Sequence, residues 1–121
     1  MEILPNGEKI VYSYDRSSNI THKVKIKNET IKENINYQYD ASGRLIKEKC
    51  YDGTNFKYNY GYKYNQSGDI LEKIEYNISD VIISKEIYNY STTNSSQLLS
   101  INKINTNNEI IETKTITYLE E

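Results

Sequence analysis

A few side chains in this sequence have types and spacings that invite a chemical reading. Asp15 and Asp40 stand 25 residues apart, each directly after a Tyr-x-Tyr. Recurring carboxylates are candidate ligands for a hard cation, but such an ion needs several oxygens converging at one place. The equivalent positions in the next copies carry Asn65 and Ser91. That series loses the charge and keeps a hydrogen-bond acceptor, as expected of a side chain that closes a turn by accepting backbone N–H groups. Asp15 and Asp40 are therefore read as turn residues, and no metal site is expected.

His22 and Cys50 are each the sole residue of their type. His22 alternates with Ile20, Val24 and Ile26 on an aliphatic strand face, without cysteine or carboxylate partners at ligand spacing. Such a histidine is a packing residue rather than a general base. Cys50 precedes an Asp-Gly turn and reads as a small buried hydrophobe; a single cysteine allows no intrachain disulfide. Glu48, Glu72, Glu75 and Glu86 read as a solvated face, each opposite a lysine. G-x-S-x-G, a phosphate-binding loop and zinc-ligand spacing are all missing. These residues point to no enzyme and no cofactor. The densest chemical feature is aromatic: Tyr58, Tyr60, Tyr62 and Tyr64 recur at every second position. They read mainly as a packing ladder, and they offer the best candidate face for a protein or carbohydrate partner.

The elements that hold these residues follow from an internal period. Tyr14, Tyr39, Tyr64, Tyr90 and Tyr118 are spaced by 25, 25, 26 and 28 residues. A second tyrosine lies two positions earlier at Tyr12, Tyr37, Tyr62 and Tyr88, and Ile116 takes that place last. Turn-forming residues follow each anchor, including Gly43 and Gly68, and then an aliphatic residue at Ile20, Leu45, Ile70 and Leu98. Two extra residues in STTNSSQ fall at a loop tip, where insertions are tolerated. Further turn signals lie midway, at PNGE 5–8, KNET 27–30, DGTN 52–55, NISD 77–80 and NNE 107–109.

Between the turns, side chains alternate with a period of two. Lys57, Asn59, Gly61 and Lys63 interleave with the tyrosines of 58–64, and Ile31, Ile35, Tyr37 and Tyr39 alternate with polar residues. The phase slips only in VIISKEIYNY, where a β-bulge would absorb one residue. The expectation is an all-β fold: an antiparallel meander of about nine short strands, built from four to five repeats of about 25 residues. The repeat units fall at 12–36, 37–61, 62–87 and 88–115, with a half-unit at 116–121, in a single domain over 1–121. An open sheet or shell segment fits better than a closed barrel, because the sequence runs from one Tyr-rich strand to another without distinct caps.

Composition agrees with a thin fold. Val, Ile, Leu and Phe together number twenty-eight of 121 residues, close to the range where chains fail to fold. Thirteen tyrosines supply the missing apolar area while keeping a polar tip. The net charge of -2, with both signs interspersed, gives no basic stripe for nucleic acid. There is no apolar run of membrane-spanning length, and MEILPNGEKI has no signal-peptide pattern.

Tyr-x-Tyr-Asp-x-x-Gly-Arg-Leu is the hallmark of the YD repeat of Rhs-type proteins, and YQYDASGRLIKEK at 37–49 resembles a near-complete copy. YSYDRSSNI at 12–20, YKYNQSGDI at 62–70 and YNYSTTNSSQLL at 88–99 resemble it more loosely. The resemblance implies part of a large bacterial secreted or surface protein, in some cases a polymorphic toxin, whose repeats build spiralling β-sheet shells or arrays. It implies a structural, protein-binding role, with the partner another copy, the remainder of an array or a toxin domain. The alternative is a small immunity-type binder that neutralises a toxin.

Overall fold

The computed structural model describes residues 1–93 and 97–118. It contains ten strands and, among these residues, no helix: β1 (Glu2–Ile3), β2 (Lys9–Tyr14), β3 (Ile20–Lys27), β4 (Thr30–Tyr39), β5 (Leu45–Asp52), β6 (Asn55–Tyr64), β7 (Ile70–Tyr76), β8 (Ile82–Tyr90), β9 (Leu98–Asn105) and β10 (Ile110–Thr115). They form one open antiparallel sheet in strict sequence order, and β1 and β10 do not pair to close it. The meander is as the alternation and turn signals implied, and the sheet is open as expected. The tenth strand is the two-residue β1, too short to show as a period. The final half-unit loses residues 119–121, and the loop STTNSSQ loses 94–96, to the part outside the described residues.

Two turn chemistries fold the chain back. The first is a three-residue loop after an acceptor side chain. In Asp40–Arg44 the Asp40 N–H donates to the Arg44 carbonyl at 2.9 Å, and the Gly43 N–H donates to the Asp40 carbonyl at 3.0 Å. The same pair of bonds recurs at 4–8, 15–19, 65–69, 77–81 and 105–109. The fourth residue always has positive φ: Gly7, Ser18, Gly43, Gly68, Asp80 and Asn108. Glycine meets this demand without strain, while Ser18, Asp80 and Asn108 adopt a region that is less favourable for side chains. The second chemistry is a two-residue loop, with Asn28 and Glu29 both at positive φ, or Gly53 alone.

The midway turns do not share one design. Those at 28–29 and 53–54 are two-residue loops, whereas those at 77–81 and 105–109 are three-residue loops. The larger loop contributes the extra residue of the later, longer repeats. The bulge expected in VIISKEIYNY is present: Glu75 pairs with Ser84 and Tyr76 with Ile82, leaving Ile83 extra. Equivalent shifts leave Thr21, Lys32, Ile46, Leu99 and Ile111 extra on their strands.

Contacts divide the chain into two units, Met1–Tyr60 and Gly61–Glu121, with β6 spanning the boundary. Within each unit, strands contact only their sequence neighbours, so burial comes from the side chains of adjacent strands rather than from a second layer. The resulting core is small: Ile10, Ile35 and Cys50 in the first unit and Ile74 in the second are the buried apolar side chains among the described residues. Most of the rest are half-buried, and stability rests on cross-strand pairs worth roughly 0.2–1 kcal/mol each.

In the first unit, the row Tyr12–Lys23–Ile35–Cys50 runs straight across β2 to β5. Lys23 and Lys25 therefore share the face of the buried Ile10 and Ile35. His22 and Val24 occupy the opposite face with Val11 and Asn36. In the second unit, Lys73–Glu86–Lys103–Glu112 pair directly in succession across β7 to β10, an alternating ladder of charge. The expectation that Glu48, Glu72, Glu75 and Glu86 each face a lysine is met in register by Glu86, and by Glu72 through diagonal ion pairs with Lys63 at 3.7 Å and Lys85 at 3.6 Å. Glu48 stands opposite Tyr37, Glu72 opposite Ile87 and Glu75 opposite Ser84. Alternation assigns a residue to a face; the partner across the strand depends on register, which the bulges reset.

Candidate functional site

The turn acceptors behave as local physics requires. Asp40 Oδ1 accepts from the N–H groups of Ser42 and Arg44, both at 2.9 Å, and its other oxygen pairs with the Arg44 side chain at 3.0 Å. Asp15 accepts from Ser17 and Asn19 N–H groups in the same manner. Asn77 and Asn105 each accept two equivalent bonds, and Asn65 accepts from Asp69. The bonds from Asn19 and Arg44 backbone N–H groups hold the Asp15 and Asp40 carboxyls below their ordinary pKa. Asp15, Asp40, Tyr37 and Tyr39 line an open cleft of about 730 Å³ between successive turns. No cluster of three potential metal ligands occurs among the described residues.

The candidate aromatic face divides at the unit boundary. In the first unit, the Tyr58 and Tyr60 rings stack with centroids 4.8 Å apart and planes 19° from parallel. The Tyr58 hydroxyl donates to Glu48 Oε1 at 2.7 Å. Both rings are half-buried, so the stack is largely a packing device. In the second unit, Tyr62 and Tyr64 are also half-buried, and the buried Gly61 precedes them. A Cβ on Gly61 would lie 2.8 Å from the Tyr76 ring, so this ring lies over the bare glycine backbone.

Several tyrosines are tuned together. Burial is the main cause that raises Tyr37, to about 12, with the neighbouring Glu48 charge next. Tyr58 is raised by burial and by its bond to Glu48. Tyr39, Tyr88 and Tyr90 are raised chiefly by burial as well. The fully buried Cys50 shares a sheet face with Tyr37 and Glu48, opposite Ile35, and burial raises its thiol above the ordinary cysteine value. A raised thiol pKa is the opposite of what a nucleophile needs. His22 Nε2 is hydrogen-bonded to Asn34 Oδ1 on the neighbouring strand. These two residues lie on opposite faces, His22 with Val11 and Cys50 with Ile35, so the structure does not bring them together.

One surface was not legible from composition. Val81 just before β8 and Ile82 and Ile83 at its start are exposed, and Ile110 and Ile111 begin β10 at 62% and 57% exposure. Every residue of β10 is exposed, and β10 has a neighbour only at β9. Its position as an edge, which converts a half-buried strand into an exposed one, is the signal, and it depends on the strand count. Among the described residues, no helix is long and apolar enough to cross a membrane. No protein-family model matches the chain, and no curated protein matches it.

Proposed function

We propose that the chain is a non-enzymatic structural and protein-binding β-repeat module, resembling a segment of a YD-repeat array. One observation carries this reading. The sheet is open, and its last strand presents unpaired backbone together with exposed Ile110 and Ile111. Such an edge is a template for a further strand; Lys114 and the bulge at Ile111 blunt it in part, while Ile110 and Ile111 stay exposed. Strand addition supplies affinity through main-chain bonds and selectivity through alternate side chains. The Tyr-x-Tyr copies ending at Asp15, Asp40 and Asn65 support the resemblance, because these three build the same corner, whereas Ser91 closes a longer loop onto Gln97. Nothing in the Cys50 or His22 environments favours catalysis.

The test is sedimentation velocity over a wide concentration range, with the Ile111→Lys variant beside the parent chain. Concentration-dependent association in the parent, abolished in the variant, supports binding through β10. A parent that stays monomeric, and captures no strand peptide at millimolar concentration, rejects it.

A further inference from the structure

Three of the anchor tyrosines make one identical long-range bond. The Tyr39 hydroxyl donates to the Ile20 carbonyl at 2.7 Å, Tyr90 to the Ile70 carbonyl at 2.5 Å and Tyr118 to the Leu98 carbonyl at 2.8 Å. In each case the acceptor is the first residue of the preceding strand, just after a turn. The registers define the geometry more closely. Continuing the pairing of β3–β4, β7–β8 and β9–β10 places these tyrosines opposite Asn19, Asp69 and Gln97, and each hydroxyl bonds the carbonyl of the next residue. The tyrosine is a latch that fixes one strand to the start of its neighbour.

Tyr14 occupies the same place in β2, with no such partner. Its side chain is 60% exposed, its ring touches Tyr12, and its hydroxyl bonds no described residue. The neighbour on that side is β1, which pairs only through Glu2–Ile10 and Ile3–Lys9. Val11 to Tyr14 pair with β3 alone. Continuing the β1–β2 register as in the other three hairpins puts the carbonyl that Tyr14 needs two residues ahead of Met1.

We propose that the outer edge of β2 at Val11–Tyr14 is an unfilled strand seat. Its occupant is an extended polypeptide segment in line with β1 and antiparallel to β2. The segment places the carbonyl of an Ile or Leu on the Tyr14 hydroxyl, as Ile20, Ile70 and Leu98 do for the filled seats. An Asx-type turn precedes that residue, as at Asp15–Asn19 and Asn65–Asp69. The inference deepens the array reading by naming the contact through which a preceding repeat joins, and it rests on that reading for the identity of the occupant.

The experiment supplies the occupant. The seven residues of Asn65–Leu71 are copied directly ahead of Met1, which sets the copy of Ile70 at the required position. A Gly/Ser extension of equal length is the control. Since the extension adds to an end strand and removes nothing, folding is not at risk. The expected result is a higher Tm than the control and new amide protection on β2 between Val11 and Tyr14. Tyr14→Phe lowers Tm by roughly 3–6 °C in the extended chain and by less than about 1 °C in the parent, as for gain and absence of one hydrogen bond. Tyr39→Phe lowers Tm in every background and confirms that the assay detects a latch. An equal response to Tyr14→Phe in both chains, or equal Tm for the two extensions, overturns the proposal. The sedimentation test concerns β10, at the other end of the strand order, so failure there and failure here are separate results.

Discussion

Raising the pH should unfold this protein through its tyrosines. Tyr37, Tyr39, Tyr58, Tyr88 and Tyr90 all have folded pKa values above the ordinary tyrosine value. Below about pH 10 both folded and unfolded chains keep these protons, so the stabilisation is fully present. Above it, the unfolded chain releases protons that the fold retains, so each such tyrosine lowers stability as pH rises, by at most about 1.4 kcal/mol per pH unit. For Tyr37, whose folded value is about 12, the window between runs for about two units and removes on the order of 2 kcal/mol. Five tyrosines together give a steep slope against a total stability of roughly 5–15 kcal/mol. The assay is tyrosinate absorbance followed alongside far-UV circular dichroism from pH 8 to 12.5. Two variants separate the causes. The Tyr37 hydroxyl has no hydrogen-bond partner among the described residues, so Tyr37→Phe should cost little at pH 8 and move the alkaline midpoint upward. Tyr58→Phe should lose roughly 1–2 kcal/mol already at pH 8, because it abandons the bond to Glu48. If all thirteen tyrosines ionise in one step near the unperturbed value while the dichroism stays unchanged, the buried-ring account is refuted. An unmoved midpoint in Tyr37→Phe refutes the assignment to that residue.

The turn acceptors give the opposite pH sign. Asp15 and Asp40 have depressed folded values, so their contribution is present above the ordinary carboxylate range and fades as pH falls through the folded values; thermal melts of Asp40→Ala should flatten that acid limb, and Asp40→Asn, which keeps an acceptor, should lower Tm less than Asp40→Ala. Gly61→Ala should destabilise by about 1–3 kcal/mol in urea melts, since the new methyl group meets the Tyr76 ring, and Tyr76→Leu should relieve part of that cost. Lys103→Glu would align three acids, with Glu86 and Glu112 on either side; chemical denaturation should show a loss of about 1 kcal/mol that 1 M salt largely cancels. Cys50 should resist a thiol reagent in the folded chain and react at once in urea, and rapid labelling of the folded protein would contradict its burial.

The corners of this fold were legible because their chemistry is local. Asp15, Asp40 and Asn65 announce an acceptor, and Gly43 and Gly68 announce positive φ, whatever the rest of the chain does. The strand character of each segment followed from the period of two, and the antiparallel order from the short turns between them. Cross-strand partners did not, because each depends on a bulge two or three residues past a turn. Thr21 and Ile46 carry no mark that distinguishes them as extra residues. Glu48 illustrates the consequence: by alternation it looks solvated, and by register it lies opposite Tyr37 and receives the Tyr58 hydroxyl. The two midway turn designs were equally hidden, since NISD and DGTN both read simply as turns. The exposed aliphatics of β10 were invisible for a different reason. Their exposure depends on being last in the sheet, a property of the whole arrangement and not of the residues.

A single-layer sheet also explains which repeat positions drift and which do not. With no second layer to enforce alignment, each strand must be registered against its neighbour by its own side chains. The first tyrosine of the pair mainly packs: Tyr37 lies opposite Glu48 and Tyr88 opposite Ile101, and Ile116 can replace it. The acidic position needs only an acceptor, and it passes from Asp40 to Asn65 to Ser91. The second tyrosine must span from its own strand to the start of the previous one and end in a donor. No smaller hydroxyl reaches that carbonyl, and no phenylalanine donates to it. Hence Tyr39, Tyr90 and Tyr118 keep the same bond even where the loops beside them have changed length. Tyr14, a copy whose hydroxyl finds no partner among the described residues, keeps the residue type as well, although its own unit makes no use of the hydroxyl.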